Sequence, residues 1–481
     1  MRLLIFVLLC LQYCFYQVDA NEEHYLAYSL QYINPAWIPN SFSFEEFPGT
    51  RLLFQLLVGP LLLFLPFELV AFLGRAVVYA LMCFPLAAIF KAFGISNFSV
   101  FVFFTVFFRR LQTFFGGEWM FRAFETKSLS YVFVAFALLA FVQGRYKRVM
   151  VLAALATYFH VLVGAWFALA FGFYVLLSRM TWHQTLTLAV IYGVLVLPIV
   201  GYLFSGGVIG GPSVIQGVDL NWVYSYFRVP HHTVVFHHGT RFFLKFRLEG
   251  ILWVSFFTGV AIYVLRRRQV ETLPRRTLLF ALATYLIILV NVVAAYFDRS
   301  GVYLKFYPFR IGTVSYFLTY VLLLAWAQHW RLWRSSWAVL LGCLLFFYAG
   351  FQLYERMELN WRKSTERDEA YERVLAQIAG HITPGQSTMV LNFPDHGALD
   401  FSRKTRSDSY VVHKFLPAGG LKVYHWYRRW LVKKQLDTDI SLLPQVRQEH
   451  DFDYIFSRIP LSGLDSALVF RQGDYCFYDL Q

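Results

Sequence analysis

Charged residues are scarce in this chain. Only 15% of its 481 residues are Asp, Glu, Lys or Arg, whereas a soluble protein carries roughly 25%. Hydrophobic residues make up 58%, aromatic residues 20%, and the mean hydropathy is +0.50. A water-soluble fold of this length cannot hide so much apolar surface. The composition excludes a disordered, collagen-like or coiled-coil chain and indicates an α-helical polytopic membrane protein.

Cysteine is also rare, and common signatures of metal and nucleotide chemistry are missing. Four of the five cysteines lie in apolar stretches, and Cys476 stands alone near the end. The sequence therefore has no disulfide framework and no zinc-ligand spacing. It also contains no GxxxxGKS/T loop, no GxGxxG before a helix and no HExxH.

The excess of positive charge is confined to the apolar part of the chain, which has a net charge of +14 overall. Residues 355–481 contain 17 basic and 17 acidic residues, which leaves 26 basic and 12 acidic residues in 1–354. A nucleic-acid-binding protein would carry a basic stripe on a soluble face. Short cytoplasmic loops of membrane proteins collect Lys and Arg instead, so we expect no nucleic-acid partner.

Apolar runs of membrane-spanning character recur along 1–354. They fall at about 70–90, 97–108, 128–143, 149–177, 184–204, 250–265, 277–296, 311–327 and 337–354. The 149–177 run is too long for one crossing and is interrupted near Gly164, so it predicts two short helices.

Basic clusters predict which side each loop faces. The clusters expected in the cytoplasm are 144–148, Arg179, 266–276, Arg331 and Arg334. If the run 51–68 also crossed the membrane, the basic clusters would no longer all face the cytoplasm. Its Pro60 and Pro66 break helices. We therefore expect an outer loop over 21–69 with an interfacial or re-entrant segment, and about eleven spans. The alternative is a plain eleven- or twelve-span chain without a re-entrant piece.

Local sequence patterns predict the structure at the amino terminus of the apolar domain, 1–354, and in the tail that follows it. The run before Val18-Asp19-Ala20 fits either a cleaved signal peptide or a retained first helix. We expect a retained helix with its amino terminus in the cytoplasm, and both alternatives place Asn21 outside. Residues 355–481 predict a small extracytoplasmic α/β domain with helices near 366–380 and 421–435 and a terminal hairpin around Gly473-Asp474.

Acidic residues at the outer surface are the first candidates for catalysis. Glu22 and Glu23 follow the first helix, where apolar surroundings can raise the pKa of a carboxyl so that it serves as a general base. The alternative is an ordinary acidic loop. Glu118, Arg122 and Glu125 would share one face if their segment is helical. They form either an ion-pair network or a second carboxylate site.

Basic residues of the later outer loops are candidates for binding an anion. These are Arg228, His231, His232, Lys305 and Arg310, because Arg binds phosphate oxygens bidentately. A solvated loop and a histidine metal site are the alternatives, although the histidine spacing matches no usual metal site. His160 lies inside an apolar run and is a further candidate, unless it is a neutral histidine bonded to a neighbouring helix.

The order of these features resembles the GT-C superfamily of polytopic glycosyltransferases, over roughly 1–204 and the outward-facing tail. Glu22 and Glu23 stand where the family has an acidic residue early in its first outer loop. An interfacial segment follows, and then a helix ends in Lys91-Ala92-Phe93-Gly94 as family helices end in a basic residue and Phe-Gly. Glu118 or Glu125 matches the second acidic site. Lipid A aminoarabinose transferases and protein mannosyltransferases share this order.

The resemblance implies a bacterial inner-membrane enzyme that takes a sugar from a polyprenyl-phosphate carrier. Glu22 or Glu23 would deprotonate or position the acceptor, and Arg310, Arg228 and Lys305 would hold the leaving phosphate. A divalent cation is compatible with this chemistry but not required. The tail would help to recognise a cell-envelope acceptor or would cover the cavity. The rival functions are a surface-polysaccharide polymerase or ligase, a transporter or flippase, and a scaffold that has lost catalysis.

Overall fold

The computed structural model describes most of the chain and shows a largely helical protein with a small sheet near its carboxyl end. The described residues are 1–45, 47–110, 112–208, 210–267, 272–329, 336–365, 368–383, 385–394, 397–417 and 420–481. Arg331, Arg334 and part of the basic cluster 266–276 lie outside these ranges.

The chain divides into two compact units, each built from separate stretches of sequence. The helical unit comprises Met1–Phe15, Phe72–Gly201 and Asn221–Arg362. The mixed unit comprises Tyr16–Ala71, Tyr202–Leu220 and Lys363–Gln481. The mixed unit therefore combines the carboxyl-terminal tail with the segment in which the sequence predicts the first outer loop.

The helical unit consists of long apolar helices joined by short ones. Its helices are α1 (Arg2–Tyr13), α4 (Phe67–Ala92), α5 (Asn97–Val102), α6 (Phe108–Arg110), α7 (Thr126–Val142), α8 (Tyr146–Phe159), α9 (Val161–Leu177), α10 (Trp182–Ser205), α11 (Leu220–Trp222), α12 (Pro230–Thr233), α13 (Thr240–Phe246), α14 (Leu248–Arg266), α15 (Thr272–Phe297), α16 (Gly312–His329) and α17 (Ser336–Thr365). Of these, α4 and α11 begin in the mixed unit, and α10 and α17 end there. Consecutive helices pack side by side: α7 on α8, α8 on α9, α14 on α15, and α15 on both α16 and α9.

Every apolar run predicted from the sequence falls on helical structure. Among the described residues, five helical segments are long and apolar enough to cross a membrane. They are Phe67–Ala92, Trp182–Ser205, Leu248–Arg266, Leu273–Phe297 and Leu304–His329. Large apolar side chains also remain exposed, such as Leu197 at 67% and Phe256 at 58%. Such surfaces are compatible with a helical membrane protein, because lipid rather than water solvates them.

The 149–177 run is split into two helices as predicted, but the break lies at His160 and not at Gly164. The backbone of His160 is extended (φ −154°, ψ 100°) and separates α8 from α9. Gly164 serves a different purpose. A Cβ atom there would lie 2.3 Å from the backbone nitrogen of Thr157, so only glycine lets α9 approach α8 this closely.

The run 51–68 forms a short helix, α3 (Leu52–Leu62), with Pro60 inside it. Eleven residues of helix rise about 16 Å, well short of the roughly 30 Å hydrocarbon core of a bilayer. This helix is therefore too short to cross a membrane, and it packs against α2 (Ala20–Ile33).

The mixed unit contains the sheet. Besides α2, α3 and a short strand pair, β1 (Val214–Ile215) and β2 (Val218–Asp219), it contains α18 (Glu369–His381), β3 (Ser387–Leu391), α19 (Phe401–Thr405), β4 (Asp408–Ser409), α20 (Gly420–Thr438), α21 (Leu443–Glu449), β5 (Tyr454–Ser457), β6 (Leu468–Gln472) and β7 (Tyr475–Asp479). The two predicted tail helices and the terminal hairpin are confirmed.

Five strands form one sheet in the order β4-β3-β5-β7-β6. The first three strands are parallel, and β7 pairs antiparallel with β5 and β6. The hairpin turn places Gly473 at φ +61°, which glycine adopts without steric cost. Val374 and Ile378 of α18 pack with Phe456 and Phe477 of the strands in the core of this unit.

Candidate functional site

The segment that carries Glu118 is not helical. Residues 112–125 form turns and bends, and Gly116 and Gly117 have positive φ angles of 83° and 63°. The side-chain amide of Gln112 pins the loop, because its oxygen accepts hydrogen bonds from the backbone N–H groups of Met120 (2.7 Å) and Phe121 (2.9 Å). The prediction that Glu118, Arg122 and Glu125 share a helical face is therefore wrong.

Glu118 lies at the centre of a buried ionic cluster. Lys127 donates from Nζ to its Oε2 at 3.1 Å. Arg310 approaches its Oε1 through Nε at 3.2 Å and through Nη2 at 3.1 Å. We call Glu118, Lys127, Arg310, His160 and His232 the Glu118 cluster. It brings together side chains from four separate stretches of the helical unit.

Arg310 is held on more than one side. Its Nη1 lies 2.6 Å from His160 Nε2, so this imidazole nitrogen accepts the hydrogen bond and carries no proton. Its guanidinium also lies over the Tyr307 ring, 4.5 Å from the centroid. Tyr307 has left-handed backbone angles (φ 49°, ψ 59°), an uncommon conformation for a bulky residue. The turn that delivers Arg310 is thus strained and tightly fixed.

His232 contributes to the cluster as a neutral side chain. Its Nδ1 lies 2.7 Å from the carbonyl oxygen of Gly116, so Nδ1 carries the proton and donates it. The same nitrogen is 3.5 Å from Glu118 Oε1. Burial lowers the pKa of His232 to about 4. At neutral pH the cations that balance Glu118 are therefore Arg310 and Lys127.

The electrostatics keep Glu118 ionised. Burial alone would raise the pKa of its carboxyl, but Arg310 and Lys127 outweigh burial and hold that pKa well below its usual range. A carboxylate whose pKa is held so far below neutral pH is a weak general base there. The geometry suits Glu118 to positioning Arg310 and Lys127 rather than to removing a proton.

Lys127 is the member of the cluster that sequence reasoning missed. It occupies the first turn of α7, where the helix dipole disfavours a cation, and only 7% of its side chain is exposed. Glu118, Glu125 (3.5 Å from Nζ) and the ring of Trp119 (3.9 Å) compensate its charge. A lysine at the start of an apolar helix, close to two glutamates, is the signal that could have revealed it.

Three other predicted residues of this unit are not members of the Glu118 cluster. Glu125 is buried and precedes α7, where its backbone N–H donates to Ser128 Oγ at 3.1 Å. Arg122 is exposed. Lys305 donates to Asn221 Oδ1 at 2.8 Å. None of these contacts joins its residue to Arg310, although Glu125 is linked to the cluster through Lys127.

The loop that contains His231 and His232 is held by Arg247, which was not among the residues predicted from the sequence. Arg247 is buried and donates to the carbonyl oxygens of Val234 (2.6 Å), Pro230 (3.0 Å) and His231 (2.8 Å). The exposed ring of His231 lies 4.2 Å from that of His232.

The remaining predicted phosphate ligand, Arg228, is half-buried at the end of a π-helical turn (Val223–Arg228). Within the described ranges, no three His, Cys, Asp or Glu side chains are grouped closely enough to hold a metal ion.

Glu22 and Glu23 belong to the mixed unit and have different roles within it. Glu22 is fully buried, and its carboxylate accepts a hydrogen bond from the backbone N–H of Asp19 at 2.6 Å. The Asp19 side chain in turn caps the first turn of α2. Glu22 is therefore half of a capping box, which fixes where α2 begins.

Glu23 forms a largely buried ion pair, although it is somewhat more exposed than those of Glu118. Arg403 of α19 binds both of its oxygens, each at 2.8 Å, and donates from Nη1 to Glu68 at 3.0 Å. Only 7% of the Glu23 side chain and 14% of the Arg403 side chain are exposed. We call Glu23, Glu68 and Arg403 the Arg403 cluster.

The Arg403 cluster predicts a pH dependence of stability. Burial raises the pKa of Glu23 to about 6, against a lowering influence of Arg403. The folded chain therefore binds this proton more tightly than the unfolded chain. The stabilising contribution is fully present below pH 4.5, the ordinary value, and is lost as the pH rises through 6. The difference amounts to about 2 kcal/mol.

Glu23→Gln should flatten this part of the pH profile. We expect the thermal stability of the full chain in detergent to fall between pH 4.5 and 7 in the wild type, and to fall less in Glu23→Gln, because Gln does not titrate. Parallel profiles for the two proteins would show that the proton on Glu23 is not linked to folding.

No protein-family model matches this chain, and no curated protein is significantly similar to it in sequence.

Proposed function

We propose that this chain is a membrane glycosyltransferase. It moves a sugar from a polyprenyl-phosphate carrier to a cell-envelope acceptor on the outer face of a bacterial inner membrane. The Glu118 cluster is the observation that carries the proposal. An arginine fixed by a carboxylate and an imidazole, at the start of an apolar helix, is suited to a lipid phosphate at the membrane surface.

The chemistry of the proposed reaction explains why cations are fixed in this way. When the bond between the sugar and the phosphate breaks, negative charge grows on the departing phosphate oxygens. Arg310 and Lys127 stabilise that charge without reorganising, because Glu118 already holds them in place. The neutral state of His160 and His232 avoids adding further repulsion between cations.

Glu23 is the better candidate of the predicted acid pair for the general base. Glu22 caps a helix, whereas burial raises the pKa of the Glu23 carboxyl to about 6 even though Arg403 binds both of its oxygens. A base with a pKa near the working pH is effective in proton transfer. In the proposed reaction the acceptor hydroxyl loses its proton, attacks the anomeric carbon and displaces the polyprenyl phosphate.

The proposal includes a topology of about eleven spans, with the amino terminus in the cytoplasm and residues 355–481 outside. Helix α3 is too short to cross the membrane, which supports an interfacial segment at this position. The predicted sidedness of the basic clusters depends on that segment. An impermeant thiol reagent should reach Ser364→Cys from outside. Labelling of Ser364→Cys only after the membrane is opened would contradict this sidedness.

The enzymatic experiment uses the full chain in lipid nanodiscs with synthetic polyprenyl-phosphate sugars and an envelope-lipid extract. We expect polyprenyl phosphate to be released and the sugar to appear on an acceptor, with both products lost in Arg310→Ala. Arg373→Ala, which removes an exposed partner of Glu369, is the control and should retain activity.

The rival functions give different products in the same experiment. A flippase would move the intact carrier across the bilayer without breaking its bond to the sugar. A polymerase or ligase would attach several sugars or a preformed glycan. A scaffold would bind the carrier and release nothing, and any of these three outcomes would overturn the proposed transferase.

A further inference from the structure

Two buried hydroxyl groups accompany the cations of the Glu118 cluster. Tyr131 follows Lys127 by one turn of α7, and Thr313 follows Arg310 by three residues at the start of α16. Both residues are at least 99% buried. The two hydroxyls lie within reach of each other for a weak hydrogen bond, but neither oxygen has a hydrogen bond of normal geometry to the described part of the chain.

Unsatisfied hydroxyls at this depth require an explanation. A buried hydroxyl without a hydrogen bond destabilises the folded protein, and most buried polar side chains do find a partner. The buried Tyr285 hydroxyl of the same unit does have a partner, since it lies 2.5 Å from Thr319 Oγ1. The unsatisfied pair lies within electrostatic range of Glu118 and Arg310. A polar ligand group at the cluster would remove the penalty.

We propose that the Tyr131 hydroxyl, assisted by Thr313, is a further phosphate-binding group of this site, donating a hydrogen bond to an oxygen of the lipid-linked phosphate beside Arg310 and Lys127. This inference rests on the proposed function and deepens it.

Hydroxyl donors complement the two cations chemically. Arg310 and Lys127 already share the charge of Glu118, so a third cation would add repulsion and a further cost of desolvation. A phenol donates a directed hydrogen bond without bringing charge into the apolar region. The same two chain segments supply both kinds of group, so a phosphate bound to the cations lies close to the hydroxyls.

The structural alternative is that Tyr131 holds an internal water that supports the fold. Buried waters typically bond to otherwise unsatisfied polar groups and are costly to remove. Under this alternative Tyr131→Phe lowers stability and leaves phosphate binding unchanged. Under our proposal it removes an unpaired hydroxyl, so stability is equal or higher, and phosphate binding weakens.

The experiment measures binding of farnesyl phosphate to the full chain in detergent by calorimetry, with farnesol and inorganic phosphate as separate probes. We expect the wild type to bind farnesyl phosphate and to bind farnesol much more weakly. Tyr131→Phe should raise Kd for farnesyl phosphate about tenfold or more, the loss expected for a hydrogen bond to a charged group, with Tm not lowered. Thr313→Val should raise it less.

Tyr285→Phe is the matched control, because it removes an equally buried hydroxyl that has a partner. It should lower Tm and leave Kd for farnesyl phosphate unchanged. If the wild type does not distinguish farnesyl phosphate from farnesol, the proposed function itself fails. If the wild type binds and Tyr131→Phe binds equally well, only the role of Tyr131 fails. Equal affinity for inorganic phosphate would identify a free anion rather than a lipid phosphate as the ligand.

Discussion

Arg310→Lys should weaken use of a polyprenyl-phosphate donor by roughly 10- to 100-fold, although the positive charge is kept. The guanidinium bonds Glu118 through two nitrogens and His160 through the third, an arrangement that one ammonium group cannot reproduce. Each hydrogen bond to a charged group contributes about 1.5–3 kcal/mol. A lysine that stays paired with Glu118 therefore loses the contact to His160 and, in the proposed site, the contact to the phosphate.

Arg310→Ala should have a larger effect that includes the fold. It leaves Glu118 buried with Lys127 as its remaining cation, and removal of one partner from a buried pair costs about 3–5 kcal/mol. The measurement is turnover at varied donor concentration, together with Tm in detergent for each variant.

Arg247→Lys provides the control for Arg310, because Arg247 is also buried but bonds to backbone carbonyls. It should lower Tm with little change in the donor concentration for half-maximal rate. Normal donor dependence in Arg310→Lys would remove the bidentate phosphate contact from the mechanism. Normal dependence in Arg310→Ala would remove Arg310 from the site.

The helices could be predicted from sequence because membrane-like apolar runs are a local signal. The predicted break in 149–177 lies at a different residue from the observed break, and the difference has a physical reason. Glycine often interrupts helices, but Gly164 lies inside α9, where it allows close contact with Thr157. The chain instead bends at His160, whose imidazole bonds to Arg310. The residue at the break thus contacts a residue 150 positions away in sequence, which local patterns do not reveal.

The candidate site shows the same limit. Glu118, Arg310, His160 and His232 could be singled out because ionisable groups are rare in apolar chains. Their grouping, and the presence of Lys127, depend on contacts between distant segments. The spacing of charges over 118–125 matched a helix, but Gly116 and Gly117 and the hydrogen bonds of Gln112 produce a compact loop instead. The spacing of residues shows which side chains a helix would place on one face. It does not show that the segment is helical.

Arg403→Ala should destabilise the full chain by about 3–5 kcal/mol at pH 7, the cost of breaking a buried ion pair by removing one partner. Arg403 is shared by Glu23 and Glu68, so its loss removes a cation that balances two carboxylates of the mixed unit. The deficit should shrink at pH 5, because Glu23, whose pKa is already raised to about 6 by burial, takes up a proton. The measurement is unfolding of the full chain in mixed micelles at both pH values.

Two further variants separate electrostatics from lost packing at Arg403. Arg373→Ala removes an exposed pair with Glu369, whose side chains are 62% and 83% exposed, and should change stability by no more than about 0.5 kcal/mol. Combining Glu23→Gln with Arg403→Ala removes the unpaired buried charge and should recover more than half of the loss. If the combined variant is as unstable as Arg403→Ala at both pH values, the arginine stabilises the unit through packing of its side chain, and the ion pair with Glu23 contributes little.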